Sequence, residues 1–310
     1  MPALTLLEAS KLVSAEVVRS AVIDMFAANS DLLRVMPFMD VQGGSYAYKQ
    51  EGSLPGVAFR AVNSGYTPSA GVINPQVEVL RIAGGELDVD TAIVKMYGEE
   101  VRSAHETRKV RALALHITGK IVKGDSVTQP LEFDGLQNRI AGSQLISNSG
   151  TNGGGALSLL KLDETIDAVD QPNALIMSKA MVRLLTAAAR TTTVGGFISY
   201  AVDEFGRRIT KYNDLPILIA DYDDTGARIL DFNEVGAGGS TATATSIYAV
   251  SFGESMLTGL QNGVMDVRDL GEIDSAPVYR TRVDWIVGLA ALHGRCAARL
   301  WGISNAAVVA

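Results

Sequence analysis

The chain of 310 residues holds one cysteine, Cys296, and three histidines. A single thiol excludes an intrachain disulfide and leaves any zinc site built on paired cysteines without its ligands. A reducing compartment is the expected setting. Basic charge is also short, with 27 Lys and Arg against 34 Asp and Glu and a net charge of -7. Counterion release from a polyphosphate needs cations massed on one face, so gripping nucleic acid is not expected to be the main task. Long apolar runs are missing too. The most apolar late stretch, Val283 to Ile303, carries Asp284, His293, Arg295 and Arg299, which is too polar for a bilayer span, so no membrane partner is expected. The start, Met1-Pro2-Ala3-Leu4 with Glu8, Lys11 and Glu16 close behind, lacks the basic-then-apolar order of a secretory signal. What is there is a globular composition, 47% hydrophobic and 20% charged, long enough for about two lobes.

Thr5-x-x-Glu8 reads as a capping box, with Leu12, Val18, Val22 and Met25 following at helical spacing. A second short helix is expected from Asn29-Ser30-Asp31, stopped by Pro37. Residues 41–80 then change texture: six glycines and three prolines punctuate fragments such as Ser45 to Lys49 and Val57 to Arg60, which predicts strand pieces separated by turns. So few aliphatic side chains cannot make a core, and an isolated two-stranded ribbon is marginal in water. The ribbon either lies on the body or reaches out and is completed by another chain. Glu99 to Lys123 is the strongest helix: Val110, Leu113, Ile117 and Ile121 fall on one face, with acid at the start and base at the end. At 1.5 Å per residue it would be about 37 Å long. Beyond the Gly/Ser/Asn stretch from Gly142 to Gly155, read as a loop or lobe boundary, a helix (Ser158 to Val169), a strand (Ala174 to Met177), a helix (Lys179 to Arg190) and strands Pro216 to Ala220 and Ile247 to Phe252 are expected, with a flexible surface loop at Gly236 to Ser240. Val278 to Trp301 mixes strand and helix signals.

Chemistry is sparse. His105 and His116 lie on one helix but about 16 Å apart along its axis, too far to share a metal. His293 and Cys296 are three residues apart, yet packed residues are the better reading than a nucleophile pair. Gly119-Lys120-Ile121 lacks the first glycine and the hydroxyl of a phosphate loop. Thr151 to Gly155, before an expected helix, could cradle an anion by its backbone N–H groups, but a plain glycine loop is the better reading. Asp221 to Gly226 starts like a calcium loop but places Phe232 where the bidentate glutamate belongs, so a turn is expected. Asp203-Glu204 reads as solvated surface. No catalytic, cofactor or metal constellation emerges, and an enzyme would need a site dispersed over the fold.

The order of parts resembles the major capsid protein of tailed bacteriophages, the Hong Kong 97 fold. The resemblance rests on Gly44-Ser45-Tyr46-Ala47-Tyr48, Leu54 to Arg60 and Asn63-Ser64-Gly65-Tyr66 as the family's extended loop, Glu99 to Lys123 as its spine helix, and Ala174 to Arg190 as a strand and helix of its axial lobe. It implies an α+β fold with an N-terminal arm (1–40), an extended β-hairpin loop (41–80), a peripheral domain (81–141 and 264–310) and an axial domain (142–263). It further implies self-assembly into pentamers and hexamers of an icosahedral shell around packaged double-stranded DNA held by weak non-specific contact. The setting would be the virion, assembled in the host bacterial cytoplasm. Portal, scaffolding and decoration proteins are the partner classes it brings, and no cofactor. Loop residues Tyr46, Tyr48, Leu54, Phe59, Arg60 and Tyr66 would touch a neighbouring subunit, and Arg102, Arg108, Lys109 and Arg111 would face the interior or form salt links. Some members begin with a scaffold segment removed in maturation. Here the arm begins near residue 1, which implies separate scaffolding or a processed form. Members that crosslink join a lysine to an asparagine. Lys49 lies in the loop, but its asparagine and the assisting carboxylate are not identifiable. An encapsulin-like shell around cargo enzymes fits the same order of parts.

Overall fold

The computed structural model describes residues 30–190, 198–202 and 208–309. The capping box at Thr5 with its helix, and the Asp203-Glu204 pair, lie outside the described residues. Helix α1 (Asp31–Val35) starts at Ser30, whose Oγ accepts the Leu33 N–H at 3.3 Å, and stops before Pro37 as expected. Strand β1 (Phe38–Asp40) leads to a hairpin of β2 (Ser45–Ser53) and β3 (Val72–Val79). Val57 to Arg60 is not a strand; with its flanks it forms the irregular tip of the hairpin, where no partner chain segment supplies a ladder.

Strand β4 (Arg81–Asp90) is followed by α2 (Thr91–Tyr97), capped by the Asp90 carboxylate on Ala92 N–H at 2.7 Å, and by α3 (Glu99–Lys123). The long helix has the predicted ends. Its termination is enforced by a backbone crossing: Gly135 N–H donates to Gly124 O at 2.9 Å, and a Cβ on Gly135 would stand 2.6 Å from Lys120 O. The turn Phe133-Asp134-Gly135-Leu136 is thus the lock on the helix end, with Phe133 and Leu136 buried on either side. Helix α4 (Leu136–Arg139) follows.

The remaining elements are β5 (Leu145–Ser147), α5 (Leu159–Asp167), β6 (Ala174–Met177), α6 (Lys179–Ala188), β7 (Ile198–Val202), β8 (Arg208–Tyr212), β9 (Leu215–Ile219), β10 (Glu234–Val235), β11 (Ala242–Val250), β12 (Leu257–Gln261), β13 (Asp266–Glu272), β14 (Val278–Ala291) and β15 (Ala297–Ser304). They make two sheets. In the first, β14 is central, with β4 along one side, β12 and β13 on the other, and β1 parallel to β12. The second runs β5-β15-β11-β6-β9-β8-β7, with β10 on β11. Ala174 to Met177 is buried on both faces: Leu175 and Met177 pack with α5 and α6, while Ala174 and Ile176 pack with α3. That is why the run reads as continuous apolar sequence rather than as alternation.

One core therefore spans both sheets: α3 contributes Val110, Leu113, Ala114, Ile117 and Ile121, with Val283, Trp285 and Val287 of β14 on one side and Leu218, Tyr248 and Val250 on the other. Sheet membership cuts across the division expected from the resemblance. Strand β1, from the 1–40 span, and β12, from the 142–263 span, pair in the first sheet, and β15, from the 264–310 span, belongs to the second. The mixed signals of Val278 to Trp301 resolve as two strands, β14 and β15, with no helix. The stretch Gly142 to Gly155 is more than a loop, since β5 pairs in parallel with β15.

The glycine runs 150–155 and 236–239 pack backbone against backbone. Gly154, at φ +87°, leaves room for Gly302 O, 2.6 Å from where its Cβ would be, and a Cβ on Gly238 would overlap the Gly150 carbonyl. Three amides of the run already have acceptors, Thr151 N–H on Ser149 Oγ, Gly154 N–H on Thr151 O and Gly155 N–H on Gly302 O, so the run is built as a packed loop rather than as an open anion cradle. Gly238→Ala is expected to cost about 1–3 kcal/mol of unfolding free energy, whereas Gly65→Ala, with open space around the new methyl, should fall within about 0.5 kcal/mol of the parent. Chemical denaturation of the two variants checks this.

Candidate assembly surface

The hairpin of β2 and β3 has an anchored root and an uncovered tip. Period-two alternation turns Tyr46 and Tyr48 toward the body, where they stack at 5.9 Å and pack on the cluster of Leu80, Leu260 and Ala290. Tyr48 Oη donates to Ala291 O at 3.0 Å and reaches Glu78 Oε1 at 3.3 Å. Burial first, and then the Glu78 charge, push this phenol up to about 12. Glu78, cross-strand neighbour of Tyr46, takes a two-pronged contact from Arg139, Nη2 lying 2.7 Å from Oε2. Both side chains of this pair are less than one fifth exposed. Tyr46 and Tyr48, expected at a neighbouring subunit, therefore serve as anchors within their own.

On the opposite face of the ribbon the same alternation exposes Ile73, Val77 and Val79. Leu54, Val57, Phe59, Val62 and Tyr66 of the tip are 65 to 107% exposed. Arg60 bonds Ser64 O at 3.2 Å and lies over the Tyr66 ring at 5.3 Å. Leu54, Phe59, Arg60 and Tyr66 are thus held in solvent, away from the body.

The cations of α3 separate into distinct roles. Arg102 is spent on an internal clamp, 2.6 Å from Asp269 and 3.2 Å from Glu106, donating to the Thr281 hydroxyl and covering the Tyr279 ring. Lys109 lies beside Gly85 of β4. Arg108 and Arg111 are exposed on the helix. A buried ionic cluster escaped sequence reasoning: Arg299 Nη2 contacts Glu234 Oε2 at 2.8 Å, Ser246 bridges the two, and Lys123 Nζ stands 3.1 Å from Glu234 Oε1. It ties the end of α3 to the second sheet. The only signal was a pair of charges inside apolar strands, 65 residues apart.

The other candidates come to rest in structural roles. His116 pairs with Asp224 at 3.0 Å, and His293 lies 3.7 Å from Asp170. Asp221 to Gly226 is a turn, with the Asp223 carboxylate accepting the N–H groups of Thr225 and Ala227 at 2.9 Å. Cys296 is buried, and burial pushes its thiol up to about 11. Among the described residues no three His, Cys, Asp or Glu side chains are placed to hold a metal ion, and no helix is long and apolar enough to cross a membrane.

No protein-family model and no curated sequence matches the chain. Solved structures do. The holo-SrpI encapsulin complex of Synechococcus elongatus PCC 7942 aligns over 90% of this chain and 89% of its own, at 21% identity and a TM-score of 0.61. The capsid of a native GTA particle aligns over 89% and 91%, at 13% identity and 0.61. A structure from Mycobacterium phage Bobi aligns over 87% and 89%, at 11% identity and 0.60. Capsid, encapsulin and phage thus share one topology with this chain, and its fold is that of Hong Kong 97-like capsid proteins.

Arg139→Met leaves the Glu78 carboxylate half-enclosed without its partner and is expected to cost about 3 kcal/mol. Tyr48→Phe should cost about 1 kcal/mol; both are read by urea unfolding. Cys296 should resist iodoacetamide at pH 8 in the folded chain and react on unfolding, since thiolate is the reactive form; mass spectrometry follows the adduct.

Proposed function

We propose that this chain, with its Hong Kong 97-like fold, is the major capsid protein of a tailed phage or phage-like particle. It self-assembles through pentamers and hexamers into an icosahedral shell around double-stranded DNA and carries no catalytic role. The observation that carries this reading is the hairpin. Its root is fixed by buried aromatic and ionic contacts, while its tip offers Leu54, Val57, Phe59 and Val62 to solvent. Exposed apolar surface of this kind marks an interaction site, and fully burying such a side chain stabilises by about 1.5–3 kcal/mol. A neighbouring copy of the chain is the occupant proposed. Repetition around a closed shell makes contacts of modest strength collectively strong.

Arg108 and Arg111 would meet packaged DNA by weak, salt-sensitive contact, which suits a chain of net charge -7. The shell would belong to a virion assembled in the host cytoplasm, with portal, scaffolding or decoration proteins as further partners. An encapsulin-like shell around cargo enzymes is the second reading, favoured by the 21% identity to the SrpI encapsulin. Nuclease-protected DNA in purified particles supports the first reading; particles free of nucleic acid but holding an enzyme support the second.

Replacing residues 54–71 by Asn-Gly, a turn that closes a two-stranded hairpin, should leave the unfolding free energy of the monomer in urea within about 0.5 kcal/mol of the parent and abolish shells in light scattering and negative-stain images. Shells of ordinary size from this variant would refute the role given to the tip.

A further inference from the structure

A groove of 410 Å³ opens between α3 and β4. Leu113, Ile117 and Val283 form its floor, and Ile82 and Leu131 stand on its rim at 75 and 84% exposure. Three cations and a histidine line it. Lys120 and His116 have their own partners, Glu132 at 2.6 Å and Asp224 at 3.0 Å. Arg81 and Lys109 carry no ion pair among the described residues. Room for the Lys109 ammonium is made by a missing side chain, since a Cβ on Gly85 would stand 2.6 Å from Nζ. An apolar trough with two uncompensated cations suits a segment in which apolar and acidic side chains alternate.

The chain presents such a segment elsewhere. The end of β13 and the turn into β14 read Leu270-Gly271-Glu272-Ile273-Asp274. Leu270 is 43% exposed, and Glu272 and Asp274 are exposed without an ion pair among the described residues. The acids before them are already committed, Asp269 to Arg102 and Asp266 to Arg268. The turn cannot serve its own groove. It lies where β14 pairs with Asp90 of β4, whereas the groove meets β4 at Arg81 to Gly85. Asp90 lies five residue steps along the strand from Gly85, about 17 Å.

We propose that the Glu272/Asp274 turn of one copy docks in the Arg81/Lys109 groove of a second copy. Donor and acceptor are different patches on one chain, so the contact is head-to-tail and closes into a ring or shell when its rotation allows. This rests on the shell reading above and adds the partner and the charge code of a second interface, separate from the hairpin.

The test is a charge swap in the full-length chain. R81E/K109E and E272K/D274K should each raise the concentration needed for assembly by about tenfold or more, and the quadruple variant should return it to within about threefold of the parent, as coupled sites require. Unchanged assembly of R81E/K109E, or a quadruple variant no better than its components, overturns the pairing; the latter result would point to another occupant, such as residues 1–29 or a separate protein. As a measurement without variants, a zero-length carbodiimide is applied to mixed ¹⁴N- and ¹⁵N-labelled chains. A Lys109 link to Glu272 or Asp274 joining light to heavy chain is expected; links only within one label, or none in assembled particles, overturn the proposal. Should the parent form no shells at all, the capsid reading fails by itself, while a mixed-label link in concentrated solution would still decide the pairing.

Discussion

The structure depends on the burial of one helix between two sheets. Val110, Leu113, Ala114, Ile117 and Ile121 reach β14 on one side and the β6-β9-β11 region on the other, so neither sheet has a complete core without α3. The helix is divided along its length. Its C-terminal half is apolar glue, and its N-terminal half is held by polar contacts, above all Arg102 to Asp269, Glu106 and Thr281. Removing the stripe would open both sheets together, which makes the two parts of the molecule one cooperative unit rather than two independent ones.

With the core complete in α3 and the sheets, the hairpin is left outside it. Its root is fixed by interactions that depend on direction, the Tyr48 hydroxyl on Ala291 O and the Glu78–Arg139 fork. A directional anchor sets the angle at which the ribbon leaves the body, which apolar contact alone would leave loose. The lock at the end of α3 serves a related purpose, because Arg139 follows directly from the Gly124–Gly135 crossing.

Much of this was legible in the sequence where a single period dominates. Helix α3 declares itself by its stripe and its terminal charges, and β6 and β9 by unbroken apolar runs. Strands β14 and β15 did not, because β14 alternates only from Thr281 to Val287 and is then buried on both faces to Ala290, while β15 is buried at most positions, so neither keeps a single period. The contact residues of the hairpin were read by composition, which treats Tyr46 and Tyr48 like Phe59. Pairing puts the tyrosines on the inner face and leaves the tip without any face at all. The Glu234–Arg299–Lys123 cluster was beyond reach, since its members come from three elements joined only by the tertiary fold.

The rooted hairpin also has a mechanical consequence. A pull on its tip along the ribbon is carried by two covalent strands side by side, and no rung of the β2–β3 ladder need open. The tension is delivered to the root, where the two strands run on covalently into β1 and β4 of the first sheet, and the contacts of Tyr48 and Arg139 hold the angle. The ribbon behaves as a tether with its weak link at the hinge, and under load it would yield first by tilting as a whole rather than by unravelling.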